Sequence, residues 1–238
     1  MNKFAIVITT YKRKDGTSFN KLKKSINSLL NQNYKNWKLF LIGDNYEDKK
    51  EFERISQIVP PEKITAINLP YAAERDSGKF SGKALWCSAG ANASNVGINE
   101  SVKQGFDIHC HLDDDDEWLP FHLDILNVGY SSFPESVFVY TNAYYVNRNN
   151  VARLFPTENV SKMLAYDNLP PRPEKLIHST ASWRLNKIPF RHENTIEQGR
   201  VFPGDAHMWQ RINKYCKQNK LKTLYIPITT VMKYSEGG

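Results

Sequence analysis

Cysteine is scarce in this 238-residue chain: Cys87, Cys110 and Cys216 make an odd three with no Cys-x-x-Cys pair. A disulfide framework and a zinc knuckle are therefore not expected, and a reducing cytoplasm is the natural location. Long apolar runs are also missing. Nothing approaches the roughly 18 residues that cross a bilayer, and the N-terminal run from Phe4 to Ile8 is too short for a signal-peptide core. Without a spanning segment, peripheral contact with a lipid surface is the one membrane association left open. The 12 glycines and 12 prolines have no period, which excludes collagen-like and low-complexity classes. The stretch from Thr9 to Gly16 contains a single glycine, so the Gly-rich phosphate loop of a nucleotidyltransferase is absent.

What the chain does contain is enough apolar material, 40% of residues with 12% aromatic, for a sizeable core. Its length allows one large domain or two small ones. Lys and Arg number 32 against 25 Asp and Glu, a formal charge of +7. Much of the excess lies at Lys12, Arg13, Lys14, Lys21, Lys23 and Lys24. Such a cluster suits a solvated helix face, an anionic small substrate or an anionic lipid surface. No nucleic-acid motif of fixed spacing accompanies it, so no nucleic-acid partner is expected.

Apolar periodicity predicts a strand at Ala5–Ile8, a helix from Ser18 to about Asn31 and a strand at Trp37–Ile42. A helix at Glu47–Ile58, a strand at Ile64–Leu69, a polar loop at Tyr71–Lys83, a helix at Ala89–Gln104 and a strand at Phe106–Leu112 follow. This β–α alternation implies right-handed crossovers and a mostly parallel central sheet with helices on both faces. Beyond Trp118 the pattern is less regular. A short helix opens at Pro120, and strands are expected at Val137–Tyr140, Ala143–Val146 and Val151–Phe155. A Pro-rich loop covers Met163–Lys175. Asp205 precedes an amphipathic helix and acts as a candidate N-cap, and late strands fall at Leu224–Ile226 and Thr229–Met232. No linker divides the chain. It reads as one domain with a nucleotide-type first half, about residues 1–118, and an irregular second half, about 119–238, and it could be one module of a longer protein.

The most informative stretch is His111-Leu-Asp-Asp-Asp-Asp-Glu-Trp118. Adjacent carboxylates about 6 Å apart repel by about 3 kcal/mol per pair at an effective dielectric near 20. Exposure, protonation or a bound cation relieves this. In an extended segment Asp113 and Asp115 share one side and Asp114 and Asp116 the other. The pair then aims two oxygens at one point, a donor set suited to Mg²⁺ or Mn²⁺. Asp116 and Glu117 instead suit the acidic start of the following helix. Asp44 and the Thr9-Thr10-Tyr11 segment also follow strands, so all three groups should meet at the carboxyl edge of one sheet, where open α/β folds bind ligands. A hydroxyl, an aromatic face and a carboxylate there could hold a base and ribose.

These motifs together resemble the family-2 glycosyltransferases of the GT-A fold. Ile8-Thr-Thr-Tyr-Lys-Arg13 is similar to the family's opening strand and turn, and Ser28-Leu-Leu-Asn-Gln-Asn-Tyr-Lys-Asn-Trp37 to its second motif. Ile42-Gly-Asp-Asn-Tyr46, Ala93-Ser-Asn-Val-Gly-Ile98, Leu112-Asp-Asp-Asp-Asp-Glu-Trp118 and Gly204-Asp-Ala-His-Met-Trp-Gln-Arg211 match further motifs in order. The resemblance implies an inverting, metal-dependent sugar transfer, of a hexose by expectation, from a nucleotide-diphosphate donor, UDP by family frequency. Thr10, Tyr11, Arg13, Asp44, Lys83, Asp113 and Asp114 would line the nucleotide site. Asp115, with Asp113, would hold Mn²⁺ or Mg²⁺, and Asp205 would be the general base. Trp183 and His207 are weaker candidates for the acceptor side, and the acceptor itself, whether glycan, protein or lipid-linked, is open. The chain departs from the family at Gly43, where an Asp is usual, at Ser94 for Arg, and at Gly204 for Glu. Those departures motivate a rival, a GT-A-like protein that binds nucleotide or sugar without chemistry. Arg75 or Lys83 could supply the basic group that Ser94 does not provide.

Overall fold

The first strand, β1 (Phe4–Thr10), shows why this sheet is closed on both faces: Phe4, Ile6 and Ile8 enter one apolar cluster, while Ala5 and Val7 enter another on the opposite side. The structure is a computed structural model that describes residues 2–147, 152–155, 176–193 and 203–234. β1 lies parallel between β2 (Trp37–Gly43) and β4 (Ile108–His111), and β2 carries β3 (Ile64–Asn68) at the edge. The run of strand, helix and strand predicted for the first half is therefore present as a parallel sheet.

The second half extends the same sheet. The order is β3-β2-β1-β4-β8-β6-β9-β5, with β7 paired on β6. Here β5 is Glu117–Trp118, β6 Ser136–Val146, β7 Ala152–Phe155, β8 Ala181–Arg184 and β9 Lys222–Tyr234. β8 joins β4 and β6 antiparallel, whereas β9 runs parallel to β6. The two short strands expected at 137–140 and 143–146 are one long β6, and the two late strands are one β9. The β6–β9 register shifts near Tyr140 and Asn142, where the polar pair Thr141-Asn142 interrupts the apolar run and mimics a turn in the sequence. The loop expected at 163–175 lies outside the described residues.

Helices cover both faces. On one side α1 (Ser18–Leu30) buries Leu22, Ile26 and Leu29, and α2 (Lys49–Ser56), capped by Asp48 accepting from Glu51 N, buries Phe52 and Ile55. On the opposite side α4 (Ala91–Lys103) packs so closely that a Cβ on Gly97 would stand 2.5 Å from Val7 Cγ1. The helix expected from Ala89 is shorter. Gly90 at φ +81 separates α4 from a small helix, α3 (Gly82–Ser88), that the polar loop conceals in sequence. α5 (His122–Ser132) adds Leu123 and Leu126 to the cluster beneath α1. Gln32 explains part of the second motif. Its amide donates to Ser28 O and Leu119 O and accepts from Leu123 N, so one buried side chain locks the end of α1 to the start of α5. α6 (Gly204–Gln218) closes the far end with Met208, Trp209, Ile212 and Cys216 against Phe138 and Trp183.

Candidate active site at the carboxyl edge of the sheet

Register places the strand ends together. Thr10 pairs with Gly43, Val7 with His111, and the amides of Asp44 and Leu112 bond to Thr10 O and Val7 O. The edge anticipated from sequence is therefore present, with Tyr11, Asp44 and the aspartate run following adjacent strands.

The run itself differs from expectation. It is not extended: Asp116 N donates to Asp113 O at 3.1 Å, closing a turn, so the simple alternation of sides does not hold. Repulsion is relieved by surrounding the acids with cations and hydroxyl donors, some of them shared. Asp114 is gripped by Arg13, Nη1 to Oδ2 at 2.9 Å and Nη2 to Oδ1 at 2.5 Å, and receives Thr10 Oγ1 at 2.7 Å. The bidentate carboxylate holds the Arg13 guanidinium above its usual range even though burial opposes this. Asp116 is fully buried and accepts from Ser179 Oγ at 2.6 Å, and burial pushes its carboxyl well up. The helix-start role expected for Asp116 gives way to this anchoring one, since α5 begins only at His122. Ser179 Oγ also accepts from Asp113 N, and Ser179 O takes the indole N–H of Trp118 at 2.8 Å, so both ends of the turn are fastened.

Asp113 and Asp115 still converge on one point, as the sequence anticipates, and that point is the ammonium of Lys233. Its Nζ lies 3.1 Å from Asp113 Oδ2, 3.7 Å from Asp115 Oδ1 and 3.3 Å from Asp116 Oδ1. Burial alone would raise Asp113, but Lys233, His178 and His111 bring its carboxyl well below the usual range. Asp115 is raised by burial against the pull of Lys233, and its second oxygen faces Arg13 at 3.7 Å and Lys21 at 3.9 Å. On the other oxygen of Asp113 stand His178 Nδ1 at 3.3 Å and His111 Nε2 at 3.5 Å, their rings stacked with centroids 3.7 Å apart. Sequence reasoning gives no site role to His111, His178 or Lys233, which no local motif marks. His109 is buried with its ring 4.1 Å from that of Trp183.

At the other end of the edge, Asp44 is buried, and neither carboxylate oxygen has a hydrogen-bond partner among the described residues. Burial raises its carboxyl, opposed by Arg75, whose Nε lies 3.3 Å away and whose guanidinium sits 3.5 Å above the Tyr11 ring. Arg75 thus stands between Asp44 and the Tyr11 ring. The glycine departures have local causes. A Cβ on Gly43 would collide with Asn68 Oδ1, which is already bonded to Tyr46 N, and one on Gly204 would fall 3.2 Å from Cys87 O.

Asp205 belongs to the first turn of α6 rather than to its N-cap, because Pro203 takes the preceding place. Its Oδ1 accepts from Ala206 N at 2.7 Å. Burial raises its carboxyl, while His178 and Lys233 lower it and Asp113 raises it, so it shares one electrostatic field with the aspartate turn. Lys83, exposed on α3, and Asp205 both act on the Cys87 thiol, which burial raises. Two acceptor candidates do not face an opening. Trp183 is fully buried between His109, Phe138 and Trp209 and offers no face to a sugar. His207 is buried too, 3.8 Å from Glu193. The exposed tryptophan is Trp86 on α3, at 57%.

No family model matches the chain. An uncharacterized glycosyltransferase of Acanthamoeba polyphaga mimivirus is 35% identical over 238 residues, covering 99% of this chain and 95% of that one. The chain belongs to the glycosyltransferases. In fold it is similar to Staphylococcus aureus TarS, residues 1–349: the form with UDP superposes with a TM-score of 0.67 at 14% identity over 98% of this chain and 61% of that one. The form with UDP-GlcNAc gives 0.67 at 14% over 99% and 59%. The chain thus spans about 60% of the TarS fragment. Among the described residues no helix is long and apolar enough to cross a membrane.

Proposed function

We propose that the chain moves a sugar, a hexose in our reading, from a UDP-linked donor to an acceptor hydroxyl with inversion at the anomeric carbon. The observation that carries this is the meeting, on one sheet edge, of a buried carboxylate at Asp44, paired with Arg75 Nε at 3.3 Å, and the carboxylates of Asp113 and Asp115 aimed at one point, with Asp205 in their field. TarS binds UDP and UDP-GlcNAc in the same fold, which supports a uridine donor.

In this reading Asp44 accepts from the base, the Tyr11–Arg75 stack flanks it, and Thr10, Arg13 and Asp114 brace the wall beneath the ribose. Lys83 stands on the phosphate side. Asp113 and Asp115 fit a divalent cation, since both are carboxylates with oxygens that converge on one position. On the other oxygen of Asp113, His111 and His178 offer nitrogen donors whose ligand atoms lie with that of Asp113 within 4.8 Å of one another. The cation supplies charge neutralisation on the leaving diphosphate. Asp205 takes the proton from the acceptor hydroxyl, a contribution on the order of 10²- to 10⁴-fold. Its raised carboxyl makes it a stronger base than an ordinary aspartate. Trp86, rather than Trp183, offers an aromatic face on this side. Three buried thiols fit a reducing compartment, and we place the chain in the cytoplasm as one domain.

Gly43 and Gly204 have local steric causes, and the rival, a protein that binds nucleotide or sugar without chemistry, is separated from this reading by turnover. The test is donor turnover with UDP-sugars and Mn²⁺ by the chain and by Asp115→Ala. The variant should lose metal-dependent turnover. Near-normal turnover in excess Mn²⁺ would remove the cation from Asp115.

A further inference from the structure

The acid turn carries an internal cation that comes from far along the chain. Lys233 lies on β9, whose Met232 pairs with Glu117 and whose Val231 pairs with Trp118, so the strand delivers its next side chain directly onto the aspartate turn. Lys233 is 16% exposed, and Asp115 and Asp116 beside it are 7% and 0%. An ammonium among three carboxylates in such a place is a built feature rather than a surface ion pair.

The same geometry creates a conflict. A divalent cation on Asp113 and Asp115 needs their oxygens at roughly 2.0–2.2 Å. Asp113 Oδ2 and Asp115 Oδ1 are the oxygens that face Lys233 Nζ, at 3.1 and 3.7 Å. An ion taking both would stand against the ammonium, and like charges at that range repel strongly in a partly buried site. The remaining oxygens offer no easy substitute. Asp115 Oδ2 faces Arg13 and Lys21, and Asp113 Oδ1 faces His111 and His178. The aspartate run therefore already meets the fixed cations Arg13, Lys21 and Lys233. A further double positive charge is poorly compensated by these residues alone. It becomes well compensated when a diphosphate brings its own negative charges and gives the ammonium new oxygens to bind.

We propose that Lys233 is the resident counter-ion of the aspartate turn and makes divalent-cation binding contingent on the nucleotide: the cation enters only with the diphosphate, which takes over the Lys233 ammonium. This rests on the cation and nucleotide roles given above. It adds an order of binding and a residue that enforces it.

The experiment is Mn²⁺ titration of the intact chain, followed by the spin-resonance signal of the free ion, with and without saturating UDP, each read against the same titration of UDP alone, whose diphosphate binds Mn²⁺ itself. Wild type should bind Mn²⁺ at least tenfold more tightly when UDP is present. Lys233→Met, which keeps length and loses charge, should bind Mn²⁺ without UDP at least tenfold more tightly than wild type does, and the gain from UDP should shrink accordingly. Lys233→Arg should follow wild type. If wild type binds Mn²⁺ equally well with and without UDP, the proposal is overturned, whatever the variants do, and this comparison needs no variant to fold. If Lys233→Met, shown folded by circular dichroism, gains no Mn²⁺ affinity, the counter-ion role is overturned. Calorimetry with UDP separates the two readings. If UDP fails to bind even with Mn²⁺ present, the nucleotide reading falls and the contingency with it. UDP that binds while the Mn²⁺ comparison fails sinks the contingency alone.

Discussion

Arg13 holds Asp114 with both terminal nitrogens, at 2.9 and 2.5 Å, from 101 residues away. This pairing sorts the aspartate run. Asp114 becomes a strut between the first strand's loop and the turn, while Asp113, Asp115 and Asp116 share Lys233.

Removing that strut should be costly. Arg13→Ala leaves a carboxylate, 8% exposed, with only the Thr10 hydroxyl. Breaking one side of such a pair costs on the order of 3–5 kcal/mol. Urea unfolding should show a loss of that size. Arg13→Lys should recover only part of it, since a point charge cannot grip both oxygens. A full recovery by lysine would mean that charge, not the fork geometry, holds the turn.

Asp44→Asn should weaken UDP binding by roughly tenfold or more, the scale of one charged hydrogen bond. Stability should hold or rise, because the variant deletes a charge that burial disfavours. Calorimetric titration and a thermal melt read the two effects apart. Unchanged UDP affinity would move the base away from Asp44.

The base reading of Asp205 fixes a pH profile. The group must be deprotonated to act, and burial raises its carboxyl above the ordinary 3.8. Transfer should therefore fade as pH falls through that raised value, giving an acidic limb above the usual aspartate range. Asp205→Asn should abolish the limb and lower kcat by about 10²- to 10⁴-fold while leaving UDP affinity intact. A collapse of donor affinity instead would make Asp205 a donor ligand.

Buried histidines make the fold sensitive to acid. Burial lowers His122 and His192 from 6.5 to about 3. Between those values the unfolded chain binds protons that the folded one refuses, so stability is complete above about 6.5 and is lost as pH drops below it. The melting temperature should fall steadily from pH 7 to pH 5. His122→Gln, which can keep a bond to Thr230 Oγ1, should show a shallower slope. A melting temperature that is flat across this interval would mean the histidines titrate together with the unfolded chain.

The parallel half is legible in the sequence because each strand there is a continuous apolar run ended by a polar turn, and register then forces Thr10, Asp44 and Asp113 to one edge. Convergence of Asp113 and Asp115 is legible from spacing, although the turn achieves it by other means. Lys233 and His178 are not, because they lie in irregular sequence 120 and 65 residues beyond Asp113. Only the pairing of β9 with β5 and of β8 with β4 brings them in. Trp183 misleads for a related reason. An aromatic among small polar residues looks exposed, yet β8 is an interior strand and its polar neighbours, such as Ser182 bonded to Val139 O, are satisfied inside.

Because the cation that offsets the aspartates is contributed by β9, the pocket cannot be electrically settled until nearly all of the described sequence has been threaded into the sheet. A nascent chain would have Arg13 at hand for Asp114 but would lack the Lys233 partner of Asp113 and Asp116 until the end of its synthesis. Closure of the last long strand and completion of the aspartate turn are then one event, so a partly folded intermediate lacking β9 would hold that turn without its ammonium.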